Sequence, residues 1–222
     1  MQEASWAQEF ADIDRKEWIN LMPSDECMIE IDDGKRHVYI TCRPGEEFYE
    51  NCVILKIKQS NIKSMVWASV MLGKKWPIVA LEYPGGKGGG MNKERYISQV
   101  LVAHVKPFYD QVEKERPRVV FQQDGAPSHT AKLTQKWFTG NEVILFPHPP
   151  NSPDLNPIEP VWHELLKFIR ARPHLPSSTA QLISAIYNAW DQPPQEDIDK
   201  HIRTMPKRVQ AVLKAKGGHT RF

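Results

Sequence analysis

Two acidic residues, each placed where one regular element ends or another begins, constrain this chain more than any other feature. Asp124 ends the apolar run Val119–Gln123 and is followed by Gly125. Glu159 follows a proline-rich segment, residues 147–157, which can form neither a helix nor a central strand. Thirty-four residues separate the two carboxylates. A carboxylate at a strand end and another at the start of a later helix can converge on one divalent metal ion, so the pattern predicts a metal site.

Each carboxylate also has an ordinary structural interpretation. Asp-Gly is a common turn pair, so Asp124 and Gly125 could simply form a turn. Glu159 stands three residues after Asn156, and the two could form a capping box that satisfies free amides at a helix start. The residues alone leave both interpretations open.

Composition bounds the class of protein. The chain has 222 residues, of which 41% are hydrophobic, which is enough for one good-sized domain with a core. No apolar run approaches the roughly 20 residues of a membrane span, and the N-terminus lacks the features of a secretory signal. We therefore expect an intracellular protein that does not associate with membranes. Reduced thiols are predicted for the three cysteines, which lack metal-binding spacing: Cys27, Cys42 and Cys52.

Charge is distributed unevenly along the chain, although the net charge is only +2. Residues 1–33 contain ten acidic and two basic residues, whereas residues 200–222 contain seven Lys or Arg and no acid. A basic segment of this kind suits a polyanionic partner, and a solvated helix face is the alternative. The candidate phosphate contacts are Lys207, Arg208, Lys214, Lys216 and Arg221.

Hydrophobic periodicity predicts strands first and then strands that alternate with helices, which gives a mixed α/β sheet covered by helices. Strands are predicted over 26–31, 37–41, 64–72, 78–81, 119–123 and 142–146. Helices are predicted over 5–20, 92–114, 128–139, 156–170, 179–190 and 197–214. In such sheets the functional site gathers near the strand ends.

Two motifs carry a family resemblance. The sequence FQQDGAPSHTA at 121–131 and the sequence FPHPPNSPDLNPIEPVW at 146–162 together resemble the catalytic domain of Tc/mariner-type DNA transposases, a branch of the RNase H-like integrase superfamily. The resemblance extends over nearly the whole chain, and the matching branch carries Asp, Asp and then Glu 34 residues later. It implies an RNase H-like mixed five-stranded sheet with helices on both faces.

The resemblance also implies a site. The first Asp of the family usually stands in Ser-Asp-Glu, which corresponds here to Ser24-Asp25-Glu26. Asp25, Asp124 and Glu159 are therefore the implied catalytic and metal-binding residues. Pro23 departs from the pattern, because proline is rare in central strands, and it favours a strand that begins later or a decaying copy. The rival acids near Asp25 are Glu26, Asp32 and Asp33.

The implied activity is that of a metal-dependent transposase catalytic domain. Such a domain cleaves phosphodiester bonds at transposon ends and transfers the 3′-OH strand into target DNA. Both steps are in-line displacements that two metal ions about 3.5–4 Å apart can assist. Mg²⁺ suits carboxylate and phosphate oxygens, and Mn²⁺ can substitute. DNA as a partner, a homodimer on DNA and a nuclear location are further expectations. Two alternatives stay open: an inactive or domesticated remnant that binds DNA or a protein, and an RNase H-like nuclease that only hydrolyses.

Domain organisation follows from the same resemblance. We expect a helical lead-in over 1–20, a catalytic domain over 21–172 and a helical extension of that domain over 173–222. The segment 41–63 resembles the family's extended loop, which contacts DNA or the partner subunit. No stretch reads as the family's N-terminal helix-turn-helix region, so the sequence is expected to be a catalytic domain alone.

Several residues near the motifs have weaker predictions. Asp154 is interpreted as a loop residue, and His163 as an ordinary structural histidine. His129 is predicted either to contact a phosphate or carboxylate or to make a structural hydrogen bond, and His148 flanks the same region. The residues predicted to belong to the core are Trp137 and Trp162.

Overall fold

The computed structural model describes five stretches of the chain, which are residues 3–13, 17–31, 62–83, 90–218 and 220–222. Several predictions lie outside these stretches, namely the strand at 37–41, most of the loop at 41–63, and the residues Asp32, Asp33, Cys42 and Cys52.

Within the described residues, five strands form one mixed sheet. Their bounds are β1 Leu21–Ile31, β2 Ile62–Met71, β3 Lys74–Lys75, β4 Val79–Ala80 and β5 Val120–Gln122. The order is β3-β2-β1-β5, and β4 also pairs with β2. β1 runs antiparallel to β2 and parallel to β5, and β3 and β4 are antiparallel to β2. The predicted mixed five-stranded sheet is confirmed.

The register between β1 and β5 positions the site. Pro23 pairs with Gln122 in this parallel ladder. Asp25 and Asp124 each lie two residues beyond that pair. Because the two strands point the same way, both carboxylates lie at the same level, just past the end of β5 and beside the middle of β1.

Pro23 lies inside β1, so the expectation of a later strand start is wrong. The antiparallel ladder with β2 begins one residue further along, at Ser24 paired with Ser69. The Pro23 carbonyl accepts a hydrogen bond from the Ser69 hydroxyl at 3.0 Å, and the Ser24 hydroxyl donates to the Gln122 carbonyl at 2.9 Å. These side-chain bonds join the strands where a proline cannot donate to the ladder.

Helices cover both faces of the sheet, as predicted. Their bounds are α1 Glu3–Glu9, α2 Lys93–Tyr96, α3 Lys106–Glu115, α4 Pro127–Thr130, α5 Lys132–Gly140, α6 Glu159–Arg170, α7 Thr179–Trp190, α8 Gln195–Ile202 and α9 Met205–Lys214. α6, α7 and α8 pack on one face around Ile29 and Val66. The segment from α2 to α3, together with α5, packs on the other around Trp67 and Phe121.

A third core ties the two ends of the chain to the proline-rich segment. It joins α1 and α9 to a short 3₁₀ helix at Glu17–Asn20 and a second one at Pro153–Leu155. Trp6 and Leu155 are both fully buried in this cluster. The packing places α9 directly behind the segment that leads to Glu159.

The structure departs from the predicted helices in four places. The helix predicted over 197–214 is divided into α8 and α9 by a turn at Arg203 and Thr204. The first helix ends at Glu9 rather than running to residue 20. The predicted helix at 92–114 contains a π-helical stretch, Ile97–Val105, between α2 and α3. The predicted helix at 128–139 breaks at Ala131, which has an extended ψ of 141°. The Thr134 hydroxyl compensates for this break, since it donates to the Ser128 carbonyl at 2.6 Å.

The predicted strand at 142–146 is reduced to a single parallel bridge between Phe121 and Leu145. The Phe121 amide donates to the Ile144 carbonyl, and the Phe146 amide donates to the Phe121 carbonyl, both at 2.8 Å. β5 itself spans three residues, so only a short ladder can form beside it. Among the described residues, no helix combines the length and apolarity that crossing a bilayer requires.

Candidate active site

The structure brings the three sequence-predicted carboxylates to one cavity of about 300 Å³. Asp25 comes from the middle of β1, Asp124 from the loop after β5, and Glu159 is the first residue of α6. The rest of the wall is formed by the loop after β5 and by the proline-rich segment before α6. Each carboxylate therefore reaches the cavity from a different element.

Asp25 is largely buried and is held at both carboxylate oxygens. Its Oδ1 accepts a hydrogen bond from the Glu26 amide at 2.8 Å, and its Oδ2 accepts one from Trp162 Nε1 at 3.2 Å. Burial raises the pKa of Asp25 to about 8, and the nearby carboxylates of Glu159 and Glu26 add to the rise. A carboxyl group with this pKa keeps its proton at neutral pH unless a cation comes close.

Glu159 opens α6 without serving as a cap. Its pKa is raised by burial, while His163 and Arg208 oppose that rise. The capping-box interpretation is wrong, because the Asn156 amide donates to the Pro153 carbonyl at 2.9 Å and not to Glu159. The carboxylate of Glu159 is therefore left available to the cavity.

Asp124 differs from the other two carboxylates, since its side chain is half exposed. Its Oδ1 accepts a hydrogen bond from the Ala126 amide at 3.0 Å, so the turn interpretation is also correct. The same oxygen lies 2.5 Å from His129 Nδ1. This hydrogen bond to His129 lowers the pKa of Asp124 and keeps it ionised.

His129 holds Asp124 from the protein interior through their hydrogen bond. Its ring is 2% exposed, packs 4.1 Å from the ring centroid of Tyr96, and places Nε2 3.5 Å from a carboxylate oxygen of Glu26. Burial alone would lower the pKa of His129, but the hydrogen bonds and charges of Asp124 and Glu26 raise it to about 10. Of the alternatives that the sequence left open, the structure shows the carboxylate contact.

In the described part of the chain, the ligand atoms that all lie within 4.8 Å of one another belong to Glu26, Asp124 and His129, and the three carboxylates of the cavity are spaced more widely. A protonated imidazolium cannot ligate a cation, because both of its ring nitrogens already carry protons. We therefore interpret this cluster as an ion-paired support for Asp124, and the cavity of Asp25, Asp124 and Glu159 as the metal candidate.

His148 forms a neutral part of the cavity wall. Burial lowers its pKa to about 4, although Asp124 and Asp154 oppose the change. Its Nδ1 lies 2.9 Å from Gln122 Nε2, which also donates to the Leu155 carbonyl at 3.0 Å. The side chain of Gln122 thus links β5 to the loop that carries His148.

Trp162 is the contributor to the site that the sequence reasoning missed. It is buried at 3% exposure and packs 5.9 Å from Trp190, so the core interpretation is correct as far as it goes. Its indole also donates to Asp25. The spacing of three residues from Glu159 was the available signal, because such residues share one face of a helix.

Three residues with weaker sequence predictions, His163, Asp154 and Trp137, do not line the cavity. His163 is exposed, and its Nδ1 lies 3.1 Å from the Glu159 carbonyl. Asp154 is buried at 6% exposure and accepts a hydrogen bond from the Thr220 hydroxyl at 2.7 Å. Trp137 is partly buried against the core around Trp67.

Four of the five candidate DNA-contacting residues are exposed, and one is not. Lys207, Lys214 and Arg221 line one open groove of about 680 Å³, and Lys216 is exposed just beyond α9. Arg208 is 3% exposed, and its guanidinium is turned inward. The prediction of a phosphate contact by Arg208 is therefore corrected, because its donors are engaged within the protein.

The donor set of the cavity fits a divalent oxygen-seeking cation. It presents three carboxylates, of which two have raised pKa values because little nearby positive charge compensates their burial. Hard cations such as Mg²⁺ prefer oxygen ligands of this kind, and a few carboxylates suffice when the ion keeps its waters.

Comparison with known proteins agrees with this geometry. Residues 57–181 match the family described as DDE superfamily endonuclease. The chain is 28% identical over 225 residues to the transposable element Tc1 transposase of Caenorhabditis elegans, and the match covers 100% of this chain and 77% of that protein. It is 27% identical to the Tcb2 transposase of Caenorhabditis briggsae, with coverage of 98% and 76%.

Among solved structures, the catalytic domain of Mos1 transposase, determined with Raltegravir and Mg, superposes with a TM-score of 0.71 at 17% identity. The match covers 99% of this chain and 95% of that one. A pre-cleavage Mos1 transpososome superposes with the same TM-score, and the match covers 63% of its chain. The predicted RNase H-like fold is thereby confirmed. With its motifs, its fold and these relatives taken together, the chain belongs to the DDE superfamily endonucleases and is a transposase catalytic domain of the Tc/mariner type.

Proposed function

We propose that Asp25, Asp124 and Glu159 are the catalytic residues of this transposase domain and that they hold divalent metal ions, Mg²⁺ or in its place Mn²⁺. The observation that carries the proposal is the matched position of Asp25 and Asp124 beyond the Pro23–Gln122 pair, opposite Glu159 in one cavity. The Mos1 catalytic domain has been solved with Mg and with Mn, which supports the choice of metal.

The proposed reactions are cleavage of phosphodiester bonds at transposon ends and transfer of the resulting 3′-OH strand to target DNA. When bound, divalent ions would activate the attacking oxygen and stabilise the leaving one. The protein would supply the oxygen ligands and orient them. Trp162 and the Glu26 amide would fix Asp25, while His129 would keep Asp124 ionised.

The exposed basic residues supply a surface for the DNA backbone. Lys207, Lys214 and Arg221 line the groove along α9, and none of the residues that line it is acidic. Contacts of this kind add salt-dependent affinity without sequence preference. We propose this groove, with Lys216 beside it, as a DNA-contacting face of the domain.

We further propose that the domain acts on DNA as a homodimer and works in the nucleus. Mos1 has been solved as a paired-end complex and as a strand transfer complex. Pairing two transposon ends requires two active sites, which a dimer provides. The domain boundaries at residues 20/21 and 172/173 likewise remain proposals.

A plasmid assay tests the assignment. Purified protein is incubated with supercoiled plasmid and Mn²⁺, Mg²⁺ or EDTA, beside Asp124→Asn and the matched surface variant Glu196→Gln. We expect nicking and joining that need metal, that persist in Glu196→Gln and that disappear in Asp124→Asn. Glu196 is a suitable control because it is exposed and lies on α8, outside the cavity. Activity that persists in Asp124→Asn would refute the assignment. Metal-dependent nicking without joining would indicate a nuclease, and a folded but inactive wild-type chain would favour the remnant.

A further inference from the structure

A buried arginine lies directly behind the segment that carries Glu159. Arg208 donates from Nη1 to the Asp154 carbonyl at 2.5 Å and from Nε to the Thr204 hydroxyl at 2.8 Å. Burial lowers the pKa of Arg208 to about 10, while the charges of Asp154 and Glu159 oppose that change. The cation therefore remains charged at neutral pH, and it holds the backbone of the 3₁₀ helix Pro153–Leu155.

The segment Thr220–Phe222 closes over this arginine. The Phe222 ring covers the guanidinium, with its centroid 4.9 Å from Arg208 Cζ. The Thr220 hydroxyl donates to Asp154 Oδ2 at 2.7 Å, and it is 7% exposed. Asp154 is thus bound twice, through its carbonyl by α9 and through its carboxylate by the segment that follows α9.

The far side of the same turn is tied to the catalytic strand. Asn156 Nδ2 donates to the Ser24 carbonyl at 3.1 Å, one residue before Asp25. Asn156 Oδ1 accepts from the Ile158 amide, and the Glu159 amide donates to the Asn156 carbonyl, both at 3.3 Å. The six residues from Asp154 to Glu159 are therefore fixed at one end by Arg208 and Thr220 and in the middle by β1.

We propose that Arg208, Thr220 and Phe222 form a clamp that positions Glu159 relative to Asp25 by holding Asp154. The proposal rests on the proposed function, since it takes Glu159 as a metal ligand. None of the three clamp residues lines the cavity. They are positioning residues that act through Asp154 and Asn156, in the way that supporting contacts commonly orient metal ligands.

The buried charged groups Arg208 and Asp154 are expected to add little to the free energy of unfolding. Desolvation of Arg208 and Asp154 offsets much of what their contacts contribute, and well-packed apolar residues often do as well. A positioning role accounts for polar contacts that all converge on one turn beside the cavity.

The matched pair Thr220→Val and Thr220→Ser tests the clamp. Valine keeps the shape of threonine but removes the hydroxyl, whereas serine keeps the hydroxyl. We expect Thr220→Val to raise the Mn²⁺ concentration for half-maximal nicking and for half-maximal Mn²⁺ binding, the latter measured by electron paramagnetic resonance, by about tenfold. Mn²⁺ binding is the deciding measurement because it needs no DNA, and Thr220 and Phe222 also line the groove proposed for DNA. Thr220→Ser should bind Mn²⁺ as wild type does. Phe222→Leu, which replaces only the aromatic cover, should shift the Mn²⁺ requirement in the same direction and by a smaller factor.

Thermal unfolding of each variant without metal shows whether it folds. A loss of Mn²⁺ binding in a folded variant can then be assigned to the position of Glu159. Unchanged Mn²⁺ binding in a folded Thr220→Val would overturn the clamp, and so would a loss that Thr220→Ser shares. If Thr220→Val does not fold, Phe222→Leu decides by the same Mn²⁺ titration. Glu159→Gln distinguishes the two proposals. If it leaves Mn²⁺ binding intact, the proposed function fails, whereas a loss in Glu159→Gln without one in Thr220→Val refutes the clamp alone.

Discussion

The two sides of the cavity shift the pKa values of their carboxylates in opposite directions. On one side, Asp124 is half exposed, bonded to a charged His129 and has a lowered pKa. On the other side, Asp25 and Glu159 are both partly buried, the pKa of Asp25 is raised to about 8, and the pKa of Glu159 is also raised. One side is ready to bind a cation, and the other is electrostatically unfavourable until a cation arrives. In the proposed metal site, Asp124 is thus already compensated by His129 within the protein, whereas Asp25 and Glu159 depend on the cation for compensation.

Glu159→Gln should have the largest effect of all, because it removes a proposed metal ligand while conserving the shape of the side chain. We expect nicking to fall by at least a thousandfold, since loss of metal-assisted stabilisation costs several kcal/mol. Plasmid nicking in Mn²⁺ measures this, with Glu142→Gln as a control at an exposed turn. A loss below tenfold would show that Glu159 is not a ligand.

The substitution Asp25→Asn should stabilise the metal-free protein at high pH and abolish its activity. Because the pKa of Asp25 rises from 3.8 to about 8 on folding, the metal-free native state binds the extra proton between those values and loses stability as pH rises through that window. Asp25→Asn should match wild type near pH 4 and exceed it in free energy of unfolding at pH 9 by on the order of 2–4 kcal/mol, less than the full shift implies because solvent screens a partly exposed carboxylate.

Urea unfolding in EDTA at pH 4, 6 and 9 measures this difference. Asp110→Asn provides the control, since that carboxylate is exposed and paired on the surface with Lys106. A stability difference between Asp25→Asn and wild type that does not grow with pH would contradict the unfavourable state assigned to the buried side.

A substitution on the Asp124 side of the cavity should reduce nicking less than Glu159→Gln does. His129→Gln removes the positive charge beneath Asp124, so we expect nicking to fall by about 10–100-fold, as is typical when a ligand loses its supporting hydrogen bond. The exposed His174 provides the matched control, and His174→Gln should leave the rate unchanged. An unchanged rate in His129→Gln would show that Asp124 needs no anchor.

Substitutions in the basic groove along α9 should have the smallest effect, which is on DNA binding. Lys207→Ala with Lys214→Ala should weaken binding of double-stranded DNA by roughly tenfold at low salt and reduce the slope of log affinity against log salt by about 2. Fluorescence anisotropy at several salt concentrations measures both quantities. Lys136→Ala, an exposed change on α5, is the control. If Lys136→Ala lowers the salt slope as much as the two groove substitutions do, DNA is attracted by the general charge of the protein and not by a defined face.

Local signals in the sequence, namely a strand end, a proline-rich segment and a helix start, predicted a mixed α/β fold and the candidates Asp124 and Glu159, whereas Asp25 and the RNase H-like topology followed from the family resemblance. The sequence did not predict that Ala131 breaks a helix or that residues 142–146 form only a bridge, since both depend on tertiary neighbours. The inward turn of Arg208 was missed for the same reason. Its partner Asp154 lies 54 residues earlier, and the charge pattern of residues 200–222 resembles a solvated face.

The most direct test of the metal assignment is calorimetric titration of Mn²⁺ into the wild-type chain and Asp25→Asn at pH 7, in two buffers of different ionisation enthalpy. We predict that wild type binds Mn²⁺ with release of close to one proton, because the buried carboxyl of Asp25 must ionise as the cation arrives. Asp25→Asn should bind more weakly and release little. Equal affinity and equal proton release in the two proteins would contradict a metal site that contains Asp25.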